Sequence, residues 1–501
     1  MSLGRCSARG GIFTERKIGF FARLSKPVDL TSGTPWRVIM RYAAPIIISY
    51  FLQQIYILTD AVICGQVLTA SEVAGVNDTF PLTFIFLQFA FGCTAGFSVI
   101  TAKCVGVKDV RGVRRSFVCQ TYLSLAISAF LTVVSVLMLP WLLGIINVTP
   151  DNKEVYDAAY IYCLIIFIGI AAQMGYNFIC GVLRAYGDSV TPLVFLVIST
   201  VLNVGLDILF LTVFGMGPGG AAFATVLAQF LSVIGCTVYT FAKYKELRLE
   251  KSDLKVSKTT VAEHLKQGLP LGLQFSILAI GIIVMQGAIV SFDLAADGRM
   301  VPGSPSQNGY GAASKLLNFL MASFHGLGSA VLGYNAQNYG KRDFERIKKG
   351  TCQSLVIMLI ISVISISIGL LFSINGTYQY IFMSADKISS ETIRYGNTFL
   401  YVDLAFYYIL GFLLVTRSAV QGICRSGYVL AAGIAELVAR ILICAFLPQI
   451  VNGAPVTSSA SSLAFAAVCF GDPGAWICAS VVLAIPFICT IIKKNYKKSG
   501  L

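Results

Sequence analysis

Pro45-Ile-Ile-Ile-Ser-Tyr-Phe-Leu-Gln-Gln-Ile-Tyr-Ile-Leu-Thr-Asp60-Ala-Val-Ile-Cys-Gly65 is the stretch of sequence that decides the fold. At about 1.5 Å per residue, a helix of this length crosses a lipid bilayer. It carries an acid, Asp60, near its C-terminal end. A carboxylate inside a spanning helix costs about 2.5–3.5 kcal/mol even on insertion scales, so it normally faces a partner or a water-filled cavity. The stretch therefore predicts a membrane protein with a polar site inside its helix bundle.

The composition indicates the same class of protein. Hydrophobic residues fill 56% of the 501 positions and charged residues only 12%, whereas an average soluble domain is about a quarter charged. Residues 1–35 are basic and polar without a cleavage signal, so the first span is expected to act as its own insertion signal. The 14 cysteines are scattered singly and no His cluster occurs, which is typical of buried apolar residues rather than of a metal site.

The net charge of +14 follows a membrane topology rather than a nucleic-acid interface. Most of the 38 Lys and Arg residues fall in segments assigned to one side: the N-terminus through Arg41, the loops at 103–115, 184, 243–266, 341–349 and 417–425, and the tail 493–498. The segments assigned to the other side carry acids: Glu72, Asp78, Asp151, Glu154, Asp157, Asp293, Asp297, Asp386, Glu391 and Asp472. This asymmetry predicts that both termini are cytoplasmic. The expected location is the plasma (cell inner) membrane.

Twelve apolar spans are predicted, at about 36–65, 79–103, 116–145, 157–182, 189–214, 219–242, 265–292, 310–336, 351–374, 394–420, 428–451 and 473–492. The run Leu463 to Phe470 is too short to span and is expected at the outer surface. The predicted fold is an all-α polytopic membrane protein of two six-helix lobes. Its divisions are an N-terminal segment 1–35, an N-lobe 36–242, a cytoplasmic linker 243–264, a C-lobe 265–492 and a tail 493–501.

An internal repeat supports two equivalent lobes. Residues 102–115 read AKCVGVKDVRGVRR, and residues 336–349 read AQNYGKRDFERIKK. Ala, Gly, Asp and the final basic pair coincide at a constant offset, and both copies follow a span that ends on the basic side. The lobes are therefore expected to be parallel repeats related by an axis along the membrane normal, with a solute site between them. The loops themselves are expected to stabilise tight turns and to contact lipid headgroups.

The polar residues of the first, fifth and sixth spans converge in depth. Thr200, Asn203 and Asp207 share one face of the fifth span, because three- and four-residue spacings align on a helix. Asp207 and Asp60 each lie five or six residues from the outer end of their span, and Thr225 lies at nearly the same level. Two carboxylates in a low-dielectric site require a shared proton or a bound cation, either H⁺ or Na⁺. The alternative is that these groups only fix helix packing.

Other polar residues in the spans have weaker assignments. Gln53 and Tyr56 share a helix face with Asp60, and Gln54 lies beside it; with Thr200 they are candidate lining of a substrate cavity, or else they bond neighbouring helices. Glu436 and Arg440 form an i, i+4 pair that is expected to be structural.

Three further residues carry no function in this interpretation. Asp403 stands alone in the tenth span, and His325 is expected to be a satisfied bundle residue. His264 is expected at a solvated helix start. No catalytic constellation is found, so an enzyme is not predicted.

In order and spacing, several motifs resemble the multidrug and toxic compound extrusion (MATE) transporters from about Thr34 to Lys498. They are Pro45…Thr59-Asp60-Ala-Val-Ile-Cys-Gly65, Leu183-Arg-Ala-Tyr-Gly187-Asp-Ser-Val-Thr-Pro192, Asn203-x-x-x-Asp207, Gly217-Pro-Gly-Gly-Ala-Ala-Phe-Ala-Thr225 and Ala336-Gln-Asn-Tyr-Gly340. The resemblance implies a twelve-helix antiporter of two lobes that expels organic, often cationic, compounds against Na⁺ or H⁺. It implies membrane lipids and small organic molecules as partners, no nucleic acid, no organic cofactor and a monomer.

The family's N-lobe cation site would map onto Asp60, Asn203, Asp207 and Thr225. The sequence also departs from one bacterial branch of the family, because Leu278 stands where that branch has an acid in helix 7 and Leu410 where it has one in helix 10. Cys424 stands where the second lobe often has Gly. These departures imply an ion site in the N-lobe alone.

Two transporter alternatives remain open at this point. A major-facilitator carrier also has twelve spans and a basic loop after helices 2 and 8, but the spacing here is one residue short. A lipid or saccharide flippase of the same superfamily usually has more spans and a cationic cavity, whereas the buried charges predicted here are mainly acidic.

Overall fold

A computed structural model of the chain describes residues 26–384 and 387–493. Most of the predicted N-terminal segment 1–35, nearly all of the tail 493–501, and Asp386 therefore lie outside the described residues.

Helices form almost all of the regular structure in the described ranges, with one isolated bridge between Leu294 and Met300. In chain order the helices are α1 (Pro35–Val67), α2 (Ala70–Asp78), α3 (Phe80–Gly106), α4 (Val110–Leu137), α5 (Leu139–Ile145), α6 (Lys153–Ile168), α7 (Ile170–Ala185), α8 (Val190–Ile208), α9 (Gly217–Lys243), α10 (Lys258–Val290), α11 (Pro305–Gly340), α12 (Phe344–Ser373), α13 (Gln379–Phe382), α14 (Ser390–Ala405), α15 (Tyr407–Gly422), α16 (Ser426–Asn452), α17 (Ser462–Cys469) and α18 (Gly471–Phe487).

The predicted number of spans is confirmed when bent helix pairs are counted as one span each. Among the described residues, ten helical segments are long and apolar enough to cross a membrane. Two more spans are broken helices, α6 with α7, bent by 43°, and α14 with α15, bent by 53°. These are the fourth and tenth spans, so the bend recurs at the same place in each half of the chain.

Two predicted boundaries are wrong. The twelfth span was expected to begin near 473, after the short run Leu463 to Phe470, but α17 already buries Phe465, Val468 and Cys469 against α16 and α14. It continues through α18 as one apolar segment, Ser462–Ile492. Helix α10 begins at Lys258 rather than near 265, because the Ser257 hydroxyl accepts the first-turn N–H of Thr260 and caps the helix there.

The two halves of the chain meet along two helix pairs, α1 with α11 and α3 with α10. Glycines allow the backbones to approach closely, as is common between membrane helices. A Cβ at Gly96 would lie 2.5 Å from the carbonyl oxygen of Gln267, and one at Gly326 would lie 2.5 Å from Ile47. The lobes therefore pack backbone to backbone where these helices cross.

The repeated loops have the same conformation in both halves. Lys108 and Arg342, at equivalent positions, have φ of 58° and 60°. The next residue caps the following helix in each copy, since the Asp109 carboxylate accepts the N–H of Gly112 at 2.9 Å and that of Asp343 accepts the N–H of Arg346 at 3.1 Å. The repeat thus encodes a tight turn and a helix start.

The loop between α10 and α11 is anchored by a buried acid. Asp293 is fully buried, and its two carboxylate oxygens accept the backbone N–H groups of Ser306 at 2.9 Å and Gln307 at 3.0 Å. The Ser306 hydroxyl donates to the Ile289 carbonyl at 3.0 Å. Asp293 therefore satisfies first-turn donors of α11 that no helical carbonyl can reach.

Replacing Asp293 with Ala should lower the free energy of unfolding by about 1–2 kcal/mol, because two buried N–H groups lose their acceptor. Thermal unfolding of the purified protein in detergent measures the effect as a lower Tm. Asp297→Ala, an exposed acid of the same loop, is the control and should leave Tm unchanged. Equal Tm values for the two variants would contradict the anchoring role.

Candidate functional site

The polar residues selected by depth lie together in the first half of the chain. Asn203 and Asp207 on α8 are buried, with exposed fractions of 1% and 0%. The Thr225 hydroxyl on α9 lies 3.3 Å from the donating Nδ2 of Asn203 and 3.4 Å from the Tyr56 hydroxyl on α1. The carboxyl groups of Asp60 and Asp207 interact electrostatically. We call these five residues the acidic cluster.

The acidic cluster holds oxygen atoms that no protein donor satisfies. Within the described residues, both carboxylate oxygens of Asp207, one of Asp60 and the amide oxygen of Asn203 are buried without a hydrogen-bond partner. Unpaired buried oxygens of this kind are costly. A proton shared by the carboxyls, or a hard cation such as Na⁺ bound by these oxygens, would remove the cost.

The helix that carries Asp207 changes its winding directly after it. Residues Leu209–Val213 form a π-helix that continues α8. Such π-turns are rare and are frequently found at functional sites. Tyr162 on α6 and Cys64 on α1 also interact electrostatically with Asp60. Tyr162 was not among the predicted site residues, because no motif or helix spacing in its span points to it.

A second polar region lies between the two halves, and only part of the predicted cavity lining belongs to it. A cavity of about 70 Å³ is lined by Gln53 on α1, Asn177 and Arg184 on α7, and residues of α3, α8 and α11. It has room for a few water molecules and not for an organic compound. Gln54 does not line it, and Thr200 donates its hydroxyl to the Leu196 carbonyl of its own helix at 2.9 Å.

Arg184 was assigned to a basic loop, and this assignment is wrong. Arg184 lies in the last turn of α7, lines this cavity, and leaves its buried Nε without a hydrogen-bond partner within the described ranges.

The Glu436–Arg440 pair belongs to a larger buried network. Arg417 on α15 donates to Glu436 at 2.5 Å, while Arg440 lies 2.6 Å from Asp472 on α18 and 3.7 Å from Glu436. The assignment of Arg417 to a basic loop is therefore wrong, because α15 continues past it and only 7% of the residue is exposed. Asp403, which is 4% exposed, keeps one carboxylate oxygen unpartnered among the described residues.

The two histidines differ from each other. His264 was expected at a solvated helix start, but it is fully buried. Its Nε2 lies 2.8 Å from the Ser116 hydroxyl and its Nδ1 lies 2.8 Å from the Thr260 carbonyl. The reason is that α10 starts seven residues earlier than predicted, so that His264 lies inside the helix and packs against Ser116 of α4. His325 is half-buried, with its ring 5.8 Å from that of Tyr50.

One face of the bundle is closed by the two copies of the repeat. We call this the basic face, defined by the loops at 107–109, 244–257 and 341–343. A Cβ at Gly106 would lie 2.0 Å from the Gln337 carbonyl oxygen, and a Cβ at Gly340 would lie 2.1 Å from that of Lys103. Gln337 also donates to the Ala185 carbonyl at 2.7 Å. The contacts are reciprocal, since Gln337 and Lys103 hold equivalent positions in the repeat.

The segment before α1 crosses the basic face and binds both halves. The N–H of Val28 donates to the Gly187 carbonyl at 3.0 Å. Asn338 donates to the Leu30 carbonyl at 3.0 Å, and Arg346 donates to the carbonyls of Ser32 and Gly33 at 2.6 Å each. This segment, residues 26–34, which we call the strap, therefore adds to the closure of the basic face.

Comparisons with known proteins agree on one family. The family model MatE matches residues 45–209 and 271–446. The probable multidrug resistance protein YpnP of Bacillus subtilis is 30% identical over 328 residues, which cover 64% of this chain and 69% of YpnP. The probable multidrug resistance protein YoeA of the same organism is 26% identical over 386 residues, 75% of this chain and 79% of YoeA.

A solved structure shares the fold. It is described as the outward-facing conformation of a multidrug resistance MATE family transporter of the MOP superfamily. It has a TM-score of 0.78 and 20% identity, covering 93% of this chain and 97% of the other. Structures of this kind have twelve helices in two lobes.

Gly106→Ala should open the basic face, because its Cβ has no space beside Gln337. Overpacking costs about 1–3 kcal/mol, which would raise a small open population by a factor of about 5 to 150. Cys424 packs in the closed interface beside Ala185 and Ala336. Its labelling rate by a maleimide, followed by peptide mass spectrometry, should therefore rise by the same factor. In the control Gly427→Ala, whose Cβ meets no atom within 4 Å, labelling should stay at the wild-type rate; an unchanged rate in Gly106→Ala would contradict the closure.

Proposed function

Because this chain belongs to the MATE family of multidrug extrusion transporters, we propose that it is a secondary active antiporter. It exports organic compounds, cationic ones among them, in exchange for H⁺ or Na⁺. The family match removes the major-facilitator alternative. The observation that carries the coupling proposal is Asp207, which is fully buried with neither carboxylate oxygen hydrogen-bonded in the described structure.

A buried acid without donors is a stable arrangement only when a positive charge or a proton accompanies it. The acidic cluster offers carboxylate, amide and hydroxyl oxygens to such an ion. Four of these oxygens bond no neighbouring helix among the described residues and are therefore available to it. The cluster lies near one end of α1, α8 and α9, and we place the entry of the ion on that side of the membrane. Ion binding there is the proposed coupling event, with Asp60 and Asp207 as its central ligands and Asn203 and Thr225 beside them.

Transport requires that the contact between the two lobes alternates between the two sides of the membrane. We place the lobes at residues 36–242 and 265–492, joined by the linker 243–264. In the described conformation the basic face is closed. Opening it must separate Gly106 from Gln337 and Gly340 from Lys103, and must break one set of strap contacts. Ion entry at the acidic cluster would bias this equilibrium only through a difference in affinity between the two conformations.

Location and assembly complete the proposal. The concentration of Lys and Arg on the basic face favours a cytoplasmic orientation for that face and for both termini. We propose a monomer in the plasma (cell inner) membrane, surrounded by lipids, without a cofactor or nucleic-acid partner.

Asp207→Asn should abolish coupling. Purified protein in sealed liposomes is loaded with the cationic dye rhodamine 6G, and a proton gradient and a Na⁺ gradient are imposed separately. Wild-type protein should move dye under one gradient. In Asp207→Asn and in Asp60→Asn that movement should fall about a hundredfold or to background, because an amide neither releases a proton nor neutralises a cation.

Asp297→Asn, an exposed acid in the loop before α11, is the matched control and should retain wild-type transport. Full gradient-driven transport in both cluster variants would refute the coupling role. If folded wild-type protein moves dye under neither gradient, the antiport proposal fails, and a lipid-scrambling assay then tests the flippase alternative.

A further inference from the structure

Lys315 is the one Lys, Arg, Asp or Glu residue in the 36 residues of α11. It lies ten residues from the start of the helix, which places it about 15 Å along the axis. Its side chain is exposed, and it has no ion pair or hydrogen bond in the described ranges. A lysine at this depth of a spanning helix normally has a partner or faces a water-filled space.

The helix face that carries Lys315 is the face that α11 turns toward α1. Spacings of four and seven residues place Gly311, Lys315, Phe319, Gly326 and Gly333 in one row along a helix. The last three of them contact α1, where Gly333 meets Tyr42, Gly326 meets Ile47, and the ring of Phe319 lies 4.9 Å from that of Phe51. Lys315 therefore points into the space between the lobes and away from lipid.

This row shows where the lobes separate. A Cβ at Gly326 would lie 2.5 Å from Ile47 and one at Gly333 would lie 3.0 Å from Tyr42, whereas a Cβ at Gly311 would meet no atom within 4 Å. On α1, Ile55 and Val62 continue the row of Phe51 and are 47% and 56% exposed. The lobes are in contact up to the Phe51–Phe319 pair, and beyond it the rows on the two helices are exposed, as they would be on the walls of a cleft that includes Lys315.

The acids of the acidic cluster do not face this cleft from α1. Asp60 follows Phe51 by nine residues, which places the two side chains about 180° apart on the helix. Asp60 thus points into its own lobe while Phe51 points toward α11. A compound that enters the cleft meets the ammonium group of Lys315 and apolar side chains, and reaches the acids only through the N-lobe.

We propose that Lys315 is a substrate-binding residue that contacts an anionic group, so that the transporter accepts organic compounds bearing a carboxylate, phosphate or sulfonate. Zwitterionic compounds are included, because apolar rings pack on Ile55 and Val62 while the anionic group binds Lys315. This inference rests on the proposed export function and specifies a substrate class for it. An ammonium group in a cleft of low dielectric binds an anion more strongly than it does in bulk water.

Two forms of one dye test the inference. Rhodamine B has a free carboxylate, and its ethyl ester keeps the same cationic ring system without the acid. Binding to the purified protein in nanodiscs is measured by fluorescence anisotropy at neutral pH without any ion gradient. Lys315→Met should weaken the binding of rhodamine B about tenfold or more, because an ion pair of the complex loses one partner. The Kd of the ester should not rise and should fall if its cationic rings lie near Lys315, because that dye loses only the repulsion of a like charge.

Matched variants separate charge from structure. Lys315→Arg should bind rhodamine B with nearly wild-type affinity, because it keeps the charge. Lys341→Met removes an exposed lysine beyond the other end of α11 and should change neither Kd. Equal losses for the two dyes, no loss for either, or wild-type protein that binds only the ester or neither form, would overturn the inference.

Failure of the Lys315 inference can be distinguished from failure of the proposed export function. If the antiport proposal is wrong, the ester shows no gradient-driven movement in liposomes with wild-type protein, whatever the binding data are. If only the inference is wrong, the ester moves under a gradient and Lys315→Met shows no selective loss of rhodamine B binding.

Discussion

The arrangement of the two lobes depends on one steric constraint, the absence of side chains where the copies of the repeat cross. Gly106 lies against the backbone of Gln337, and Gly340 lies against the backbone of Lys103, at distances that exclude even a methyl group. Because each glycine meets the residue equivalent to the one that its counterpart meets, the two contacts form and break together. Closure of the basic face is therefore a property of both halves, and the cleft that opens beyond Phe51 and Phe319 follows from it.

The buried charges are distributed unequally between the lobes, although the helices are arranged alike. In the C-lobe, Glu436 pairs with Arg417 and Asp472 pairs with Arg440. Of these three C-lobe acids, Asp403 is the one without an ion pair in the described residues. In the N-lobe, the described residues include no cation that pairs with Asp60 or Asp207. Breaking a buried pair costs about 3–5 kcal/mol, so acids held by arginine are poorly suited to reversible ion exchange. Unpaired acids are suited to it, which favours the N-lobe as the coupling site.

The sequence predicted what depends on local pattern and failed where distant segments decide. Span number, the repeat and the shared depth of Asp60, Asn203, Asp207 and Thr225 could be predicted because hydropathy and helical rise are properties of each span alone. The burial of Arg417 could not, since its acid, Glu436, lies on another helix and a basic residue near a span end looks like a loop residue. His264 was misassigned for a related reason, because only the packing of α10 under α4 shows that its ring is enclosed. Tyr162, which interacts with Asp60 of the acidic cluster, was missed because nothing in the sequence of its span points to it.

The repeat also shows that Lys315 has no counterpart in the other half of the chain. The offset that relates Gly106 to Gly340 relates Gly92 to Gly326 and Ile85 to Phe319. Gly92 packs on Gly272 of α10 as Gly326 packs on Ile47 of α1, and Ile85 accepts a hydrogen bond from Ser276 where Phe319 meets Phe51.

The α3–α10 pair is thus the counterpart of the α1–α11 pair, and at its equivalent of Lys315 it has Pro81. The two helix pairs form equivalent contacts between the lobes, and only the α1–α11 pair carries a charge where the lobes separate. The repeat itself therefore gives no reason for a charge that only one of the two pairs carries. The positive charge on one wall of the cleft is therefore best explained by what enters the cleft.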